Sequence, residues 1–201
     1  MKLQWHPSSE YSLRAKLLVH VLGLDIELED VSTSDVSRLH DYHMLDLFGQ
    51  LPRLETDDDG LIGNSNAILV YLAKSFGGKD WYPENAADAS LVQSWLGAID
   101  RDFVAKAPRL TLAAINGRRV FDNNGAQAMT LADLDRHLVS RRWLATENVT
   151  IADVALYPAV IRLMRSTPDR WGYWAVLSWV DRMEALPNFP EQLSASLPIN
   201  A

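Results

Sequence analysis

Residues 49–72 read GQLPRLETDDDGLIGNSNAILVYL and place three local signals in close succession. Residues 51–55 have the length and composition of a short strand, and the turn-forming residues 56–60 predict a hairpin into the next strand. Asn64 then offers a helix-capping side chain before residues 67–72, where apolar pairs recur one helical turn apart. This stretch therefore predicts a β-hairpin that is followed directly by a helix.

The residues before this stretch predict a βαβ unit. Polar and apolar side chains alternate over residues 2–5, and Pro7 ends that strand. Leucine and valine recur at helical spacing over residues 13–24, where Gly23 is a stop signal, and residues 26–31 alternate again. Since a βαβ unit implies a parallel strand pair, the first half of the chain predicts a thioredoxin-like α/β domain.

Beyond the hairpin and its helix, the apolar pattern has a helical period and no strand pattern occurs. Thr150 and Asp153 have the spacing of a capping box and predict the start of a further helix. We expect a thioredoxin-like domain over residues 1–77, a linker over 78–84 and an all-α domain over 85–201. Three apolar stripes support the helical domain: Leu91, Trp95, Ile99 and Phe103; Leu131, Leu134 and Leu138; and Trp174, Leu177, Val180 and Met183.

Composition narrows the classes of function. The 201 residues are 48% hydrophobic with a net charge of −7, so the chain can bury a core and offers nucleic acid no overall positive field. No apolar run approaches the roughly 20 residues that span a bilayer, and the N-terminal residues lack the apolar segment of a signal peptide, so we expect a cytoplasmic protein without a membrane partner. Cysteine is absent, so thiol chemistry requires a bound ligand. His40 and His43 lack a third ligand, and we expect no metal.

Two blocks of the sequence resemble the glutathione transferase superfamily. Residues 49–72 follow its N-terminal signature, G-x-V-P-x-L, D-G and E-S-x-A-I-x-x-Y-L, in order and spacing, and residues 143–157 resemble its helical-domain motif. The residues around Pro7 favour a bacterial serine-type or beta- or theta-like member. The resemblance implies the glutathione transferase fold, glutathione as co-substrate, a homodimer, and a detoxification reaction in which the glutathione thiolate attacks a small electrophile.

The resemblance also implies which residues bind glutathione. A cis peptide bond before Pro52 would present the Leu51 main chain to the cysteinyl segment, and Gln50 would lie near the glycyl carboxylate. Ser65 would bind the γ-glutamyl carboxylate, because a helix N-terminus offers unpaired amides to an anion. Asn64 replaces the acid that faces the α-amino group, so we expect a weaker contact there. Asn64 and Ser65 would also serve as helix caps.

The group that activates the thiol would follow the first strand. To lower the pKa of the thiol by two pH units, the protein must stabilise the thiolate over the thiol by about 2.7 kcal/mol. One charge-assisted hydrogen bond and a helix N-terminus can supply this energy. Counting back from Gly23 aligns Ser9 with the catalytic serine of serine-type members, and Ser9 is the first candidate. Tyr11 aligns with the cysteine of beta-type members and is the second. In the alternative interpretation, Ser9 only caps the following helix.

Three functions remain open from the sequence alone. The first is the conjugating enzyme. The second is a non-catalytic relative that binds or interacts through the same scaffold, which Asn64 and the two candidates for the thiol-activating group leave open. The third is a glutathione-dependent isomerase or peroxidase, which would share the glutathione site and differ in the second substrate. Met44, Leu45 and Phe48 form an apolar stretch where a homodimer contact is expected.

Overall fold

The computed structural model describes residues 1–33, 51–104, 129–167 and 170–193. Several predicted features lie outside these ranges: the glutathione residue Gln50, the apolar stretch at Met44, Leu45 and Phe48, and the pair His40 and His43.

The first half of the chain contains a four-stranded mixed sheet. The order across the sheet is β2-β1-β3-β4. The first two strands are parallel and joined by α1, while the remaining pairs are antiparallel, which confirms the predicted βαβ unit and hairpin. The elements are β1 (Lys2–Trp5), α1 (Glu10–Val21), β2 (Glu27–Asp30), a 3-10 turn (Val31–Thr33), β3 (Arg53–Glu55) and β4 (Leu61–Ile62).

Helix α2 (Ser65–Leu72) follows the hairpin as predicted. It continues as a turn of π-helix (Ala73–Gly77), and α3 (Gly78–Trp81) is a single further turn. Gly78 has a φ of +72°, a conformation that glycine adopts without steric cost, so the helix changes direction there. The predicted linker therefore begins with helical residues.

The described part of the second half is helical. No helix within the described ranges of either half combines the length and apolarity needed to cross a bilayer. The elements are α4 (Ala86–Ala98), a π-helical segment (Ile99–Val104), α5 (Leu131–Leu138), α6 (Ile151–Arg165), a 3-10 turn (Arg170–Gly172), α7 (Trp174–Glu184) and a 3-10 turn (Glu191–Leu193).

Helix α6 is the central element of the core. Thirteen of its fifteen residues are buried, and it packs against α1, α4 and α7. Its N-terminus has the predicted capping box: Thr150 Oγ1 accepts from the Ala152 N–H at 3.3 Å, and Asp153 accepts from the Thr150 N–H at 3.0 Å. The helix continues through Pro158 to Arg165, so α1 rests on one unbroken helix of the second half.

Two of the predicted apolar stripes are only partly correct: Ile99 and Phe103 in the first, and Val180 and Met183 in the third, are buried as predicted, but the first residue of each stripe is exposed. Leu91 is 48% exposed, and the buried row of α4 contains Val92 and Leu96 instead. Trp174 is 59% exposed, although the stripe through α5 is buried as predicted. The error arises because neighbouring rows of these helices are both apolar, and periodicity alone does not choose between them. In α7 the buried residues are Ala175, Val176, Trp179, Val180 and Met183.

Candidate functional site

Ser9 is the N-cap of α1, where the chain leaves β1. Its backbone is extended, with φ −96° and ψ 116°, and its Oγ accepts from the Ser12 N–H at 3.2 Å. Ser9 therefore caps α1, and its role toward the thiol stays a prediction. No described residue accepts the hydroxyl hydrogen of Ser9, and the side chain is partly exposed. Ser9 can accept within the helix and donate outward at the same time.

Tyr11 lies in the first turn of α1, half-buried beside a charged pair. Its ring centroid is 4.7 Å from the guanidinium carbon of Arg14. Burial raises the pKa of Tyr11, and the negative charge of Asp100 raises it further, while Arg14 opposes both. The phenol therefore keeps its proton at neutral pH and can serve as a hydrogen-bond donor.

Arg14 is the buried centre of this region, with 1% of its side chain exposed. Its Nε and Nη2 donate to Ser65 Oγ at 3.1 and 2.6 Å, and Nη2 also donates to Asp100 Oδ1 at 2.8 Å. Burial lowers the pKa of Arg14, and the adjacent Asp100 carboxylate raises it. The guanidinium is the most basic side-chain group in proteins, so Arg14 carries a positive charge beside Asp100.

Asp100 links this cation to the neighbouring helix. Its second oxygen accepts from Asn66 Nδ2 at 2.8 Å, so α1, α2 and the π-helical segment meet at the N-terminus of α2. The Nη1 atom of Arg14 is buried and has no hydrogen-bond partner among the residues that the structure describes. This group of residues therefore retains one unpaired donor, and an unpaired donor is energetically costly when it is buried. We call Arg14, Ser65, Asn66 and Asp100 the arginine cluster.

The two residues at the tip of α2 differ in exposure. Asn64 is exposed, and its Oδ1 accepts from the N–H groups of Asn66 and Ala67 at 3.0 and 3.1 Å, which confirms its capping role. Ser65 is only 4% exposed, and its hydroxyl accepts from Arg14. Because a guanidinium only donates, the hydroxyl hydrogen of Ser65 is left for another acceptor.

The Leu51–Pro52 peptide bond is cis, as predicted. Pro52 is buried and Leu51 is half-buried, immediately before β3 begins at Arg53. The Leu51 main chain makes no backbone hydrogen bond to any residue within the described ranges. It is therefore available for pairing with an extended peptide.

The structure brings some of the predicted residues together. Tyr11 and Ser65 both contact Arg14, whereas Ser9 and Leu51 make no hydrogen bond to the arginine cluster within the described ranges. Sequence reasoning missed Arg14 and Asp100. A charged residue among the apolar residues of a predicted helix was the available signal for Arg14. The described parts of the chain contain no group of three or more metal-ligating side chains.

Two family models match the chain. The model for the glutathione S-transferase N-terminal domain matches residues 5–80, and the model for the glutathione S-transferase C-terminal domain matches residues 124–189. Together they account for both halves of the structure.

Solved structures with the same architecture include a possible glutathione S-transferase from Rhodopseudomonas palustris. It is 26% identical with a TM-score of 0.74, over 94% of this chain and 95% of that chain. A glutathione S-transferase from Xanthobacter autotrophicus is 25% identical with a TM-score of 0.73, over 94% of this chain and 96% of that chain. These similarities extend over nearly the full length of both partners.

Among curated proteins, elongation factor 1-gamma 1 from Oryza sativa is 26% identical over 163 residues. The matched region is 76% of this chain and 39% of that protein. The chain spans less than half the length of the curated relatives it matches.

Proposed function

Since the chain belongs to the glutathione S-transferase superfamily and has its fold, a thioredoxin-like domain joined to an all-helical one, we propose that it binds glutathione and transfers the thiolate to an electrophilic small molecule. Glutathione would lie across the N-termini of α1 and α2. The arginine cluster is the observation that carries this proposal, because it places a buried cation directly behind the tip of α2.

The γ-glutamyl carboxylate would bind at that tip. Asn64 already accepts from Asn66 and Ala67 through its side chain and from Ile68 through its carbonyl, which leaves the Ser65 N–H as the open donor of the first turn. The Ser65 hydroxyl hydrogen is open as well, because Arg14 fills the accepting side of that oxygen. Two donors with a guanidinium behind them suit a carboxylate.

The thiol would lie at the tip of α1. The Ser9 oxygen accepts from Ser12 at the positive end of the helix, which polarises its O–H toward an outside acceptor. A thiolate at that position would gain a charge-assisted hydrogen bond, and the lowered thiol pKa would raise the concentration of the nucleophile. The Leu51 main chain would pair with the cysteinyl segment, and Gln50 would contact the glycyl end. Tyr11 is the alternative donor.

Thermal unfolding with added peptide tests the binding step. At ten times its Kd, glutathione should stabilise the protein by about 1.4 kcal/mol and raise the Tm by roughly 3–5 °C. The analogue with alanine in place of cysteine keeps the carboxylate and main-chain contacts, so it should also raise the Tm, but by less than glutathione because it lacks the proposed contact with Ser9. If neither peptide shifts the Tm, glutathione binding is excluded. Conjugation of an aryl halide, followed by absorbance, then tests the transfer step.

A non-catalytic role is the second candidate. It is favoured by the similarity to elongation factor 1-gamma and by the loss of the acid at Asn64. A Tm shift with glutathione, but no conjugation above the uncatalysed rate, would exclude the transferase and leave this role and a glutathione-dependent isomerase or peroxidase. A glutathione-dependent isomerase or peroxidase would bind the peptide in the same way and use a different second substrate. That the protein is a cytoplasmic homodimer stays a prediction.

A further inference from the structure

Two arginines meet where the segment that follows α5 contacts the end of α7. Arg142 belongs to that segment, and Arg182 lies in the last turn of α7. Arg182 Nη2 donates to the Arg142 carbonyl at 2.9 Å, so the hydrogen bond joins two parts of the chain that are 40 residues apart. Neither residue belongs to the proposed glutathione site. We call these two residues the Arg142–Arg182 pair.

One buried ring lies beside both members of the pair. The centroid of the Trp143 ring is 5.8 Å from the guanidinium carbon of Arg142 and 5.8 Å from that of Arg182. Such a contact stabilises a cation and leaves the N–H groups of the guanidinium able to donate. Because Trp143 is only 6% exposed, its ring is a fixed part of the core. The ring therefore holds two cations at the surface with donors still open.

The Arg142–Arg182 pair lacks a carboxylate partner. Neither arginine forms an ion pair within the described ranges. Burial lowers the pKa of Arg182 and the like charge of Arg142 lowers it further, while the carboxylates of Asp153 and Asp181 raise it. Asp153 is buried and accepts hydrogen bonds from other groups, and Asp181 is exposed. The two arginines therefore repel each other without a bound counter-charge.

This local excess of positive charge is opposite in sign to the charge of the whole molecule. The net charge of the chain is −7, and Arg141, the exposed neighbour of Arg142, adds a further cation at the same place. An anion that contacts both members of the pair would cancel their repulsion and gain charge-assisted hydrogen bonds. The surface at this pair is therefore suited to an anionic ligand.

The open donors favour a tetrahedral oxyanion over a carboxylate. A carboxylate has two oxygens in one plane, and the fork of one guanidinium is enough to bind them. A phosphate monoester has three terminal oxygens and a charge of about −1.5 to −2 at neutral pH, which suits two guanidinium groups. Arg142 makes no hydrogen bond through its guanidinium within the described ranges, and Arg182 uses only Nη2. The pair can thus donate to one phosphate from two sides.

We infer that the Arg142–Arg182 pair binds the phosphate group of a phosphate monoester. Each guanidinium donates to terminal oxygens of the same phosphate. The carbon that carries the phosphate lies toward solvent, because Arg142 is exposed and the pair is at the surface. This inference does not depend on the proposed glutathione chemistry.

Phosphorus NMR at constant ionic strength tests the inference. The signals of inorganic phosphate and of glycerol phosphate should both broaden when the protein is added. In Arg142→Gln, the Kd of both probes should rise about five- to tenfold, since one of two charge contacts is lost. Arg165→Gln is the matched control, because Arg165 is also exposed and forms no ion pair within the described ranges. Equal effects of the two substitutions would overturn the inference, as would binding of inorganic phosphate alone.

Competition with other anions gives an independent measurement. Acetate should displace glycerol phosphate at least about tenfold less effectively than inorganic phosphate does, and equal competition would overturn the preference for phosphate. Arg182→Gln should also raise the Kd of glycerol phosphate about five- to tenfold. Its Tm shows whether it is folded, and Arg142→Gln decides the question if it is not. Unchanged affinity in folded Arg182→Gln contradicts the inference, as does displacement of glycerol phosphate by saturating glutathione.

Discussion

Arg14 holds the hydroxyl of Ser65 with two hydrogen bonds, at 3.1 and 2.6 Å, across 51 residues of sequence. The contact joins the second turn of α1 to the first residue of α2, so the tip of α2 is fixed by a residue from a different helix. A guanidinium supplies donors only, and its contact therefore determines which atoms of Ser65 remain open to a ligand. The carboxylate site proposed at this tip depends on that orientation.

Replacement of Arg14 tests this dependence. Arg14→Met keeps much of the apolar stem and removes the charge, which should leave Ser65 and Asp100 without their partner and cost on the order of 2–3 kcal/mol in the free energy of unfolding. Glutathione affinity should fall at least about tenfold, since the carboxylate loses the cation behind it. Urea unfolding and titration calorimetry measure the two effects.

Arg14→Lys is the control for charge alone. It keeps a cation but not the two-point contact, so we expect affinity between those of the wild type and Arg14→Met. Unchanged glutathione binding in a folded Arg14→Met protein would show that the arginine cluster has only a structural role.

Ser9 has two roles that substitution can separate. Ser9→Ala removes both the cap and the hydroxyl, and should cost about 1 kcal/mol of stability and lower kcat about 10- to 100-fold. Ser9→Asn keeps a capping oxygen without a hydroxyl, so the stability should recover while the activity stays low. Rates of conjugation and urea midpoints give the comparison. Because the Asn amide can itself donate a hydrogen bond, recovery of activity in Ser9→Asn would show only that a hydroxyl is not required at this position, and Tyr11→Phe would then test the second candidate.

Local signals in the sequence were sufficient to predict most of the fold. The turn at residues 56–60, the cap at Asn64 and the box of Thr150 with Asp153 all lie where the chain pattern placed them, because each depends on residues at most four positions apart. The cis bond before Pro52 followed from the family resemblance and is present. Short-range geometry is largely fixed by the residues that form it.

Long-range pairing could not be predicted in the same way. Arginine is usually a surface residue. Arg14 can be buried because it forms hydrogen bonds with Ser65 and with Asp100, which is 86 residues away. The Ser65 hydroxyl accepts from Arg14 for the same reason. Leu91 and Val92 offered two adjacent apolar rows, and only packing against α6 selected the second. These outcomes depend on which surfaces meet, and periodicity carries no information about the partner.

Replacement of Asn64 by aspartate should raise the affinity for glutathione. Asn64→Asp keeps a good capping oxygen for Asn66 and Ala67 and adds a negative charge at a helix N-terminus. If the α-amino group of glutathione lies there, the Kd should fall about three- to tenfold, because a charge-assisted hydrogen bond replaces a neutral one. Asn64→Ala should instead lose the cap and about 1 kcal/mol of stability. Calorimetry at low salt measures the change, and an unchanged Kd in Asn64→Asp would place the amino group elsewhere.

Asp153 predicts how stability depends on pH. Burial raises its pKa from 3.8 to about 6, although hydrogen bonds from Trp179, Thr150 and Leu144 lower it. Because the folded pKa lies above the unfolded one, the folded state binds the proton more tightly. The raised pKa contributes about 3 kcal/mol to the free energy of unfolding. This contribution is fully present below about pH 3.8 and is lost as the pH rises through about 6.

Asp153→Asn removes that titration and provides the test. The amide replaces one accepting oxygen, so near pH 4 the variant should be about 2 kcal/mol less stable than the wild type. The gap should then close as the pH rises toward about 7, because only the wild-type protein loses the contribution of Asp153 over that interval. Urea unfolding of both proteins across this range measures the gap. A gap that widens with pH would mean that the N–H donors around Asp153 favour the carboxylate and outweigh the effect of burial.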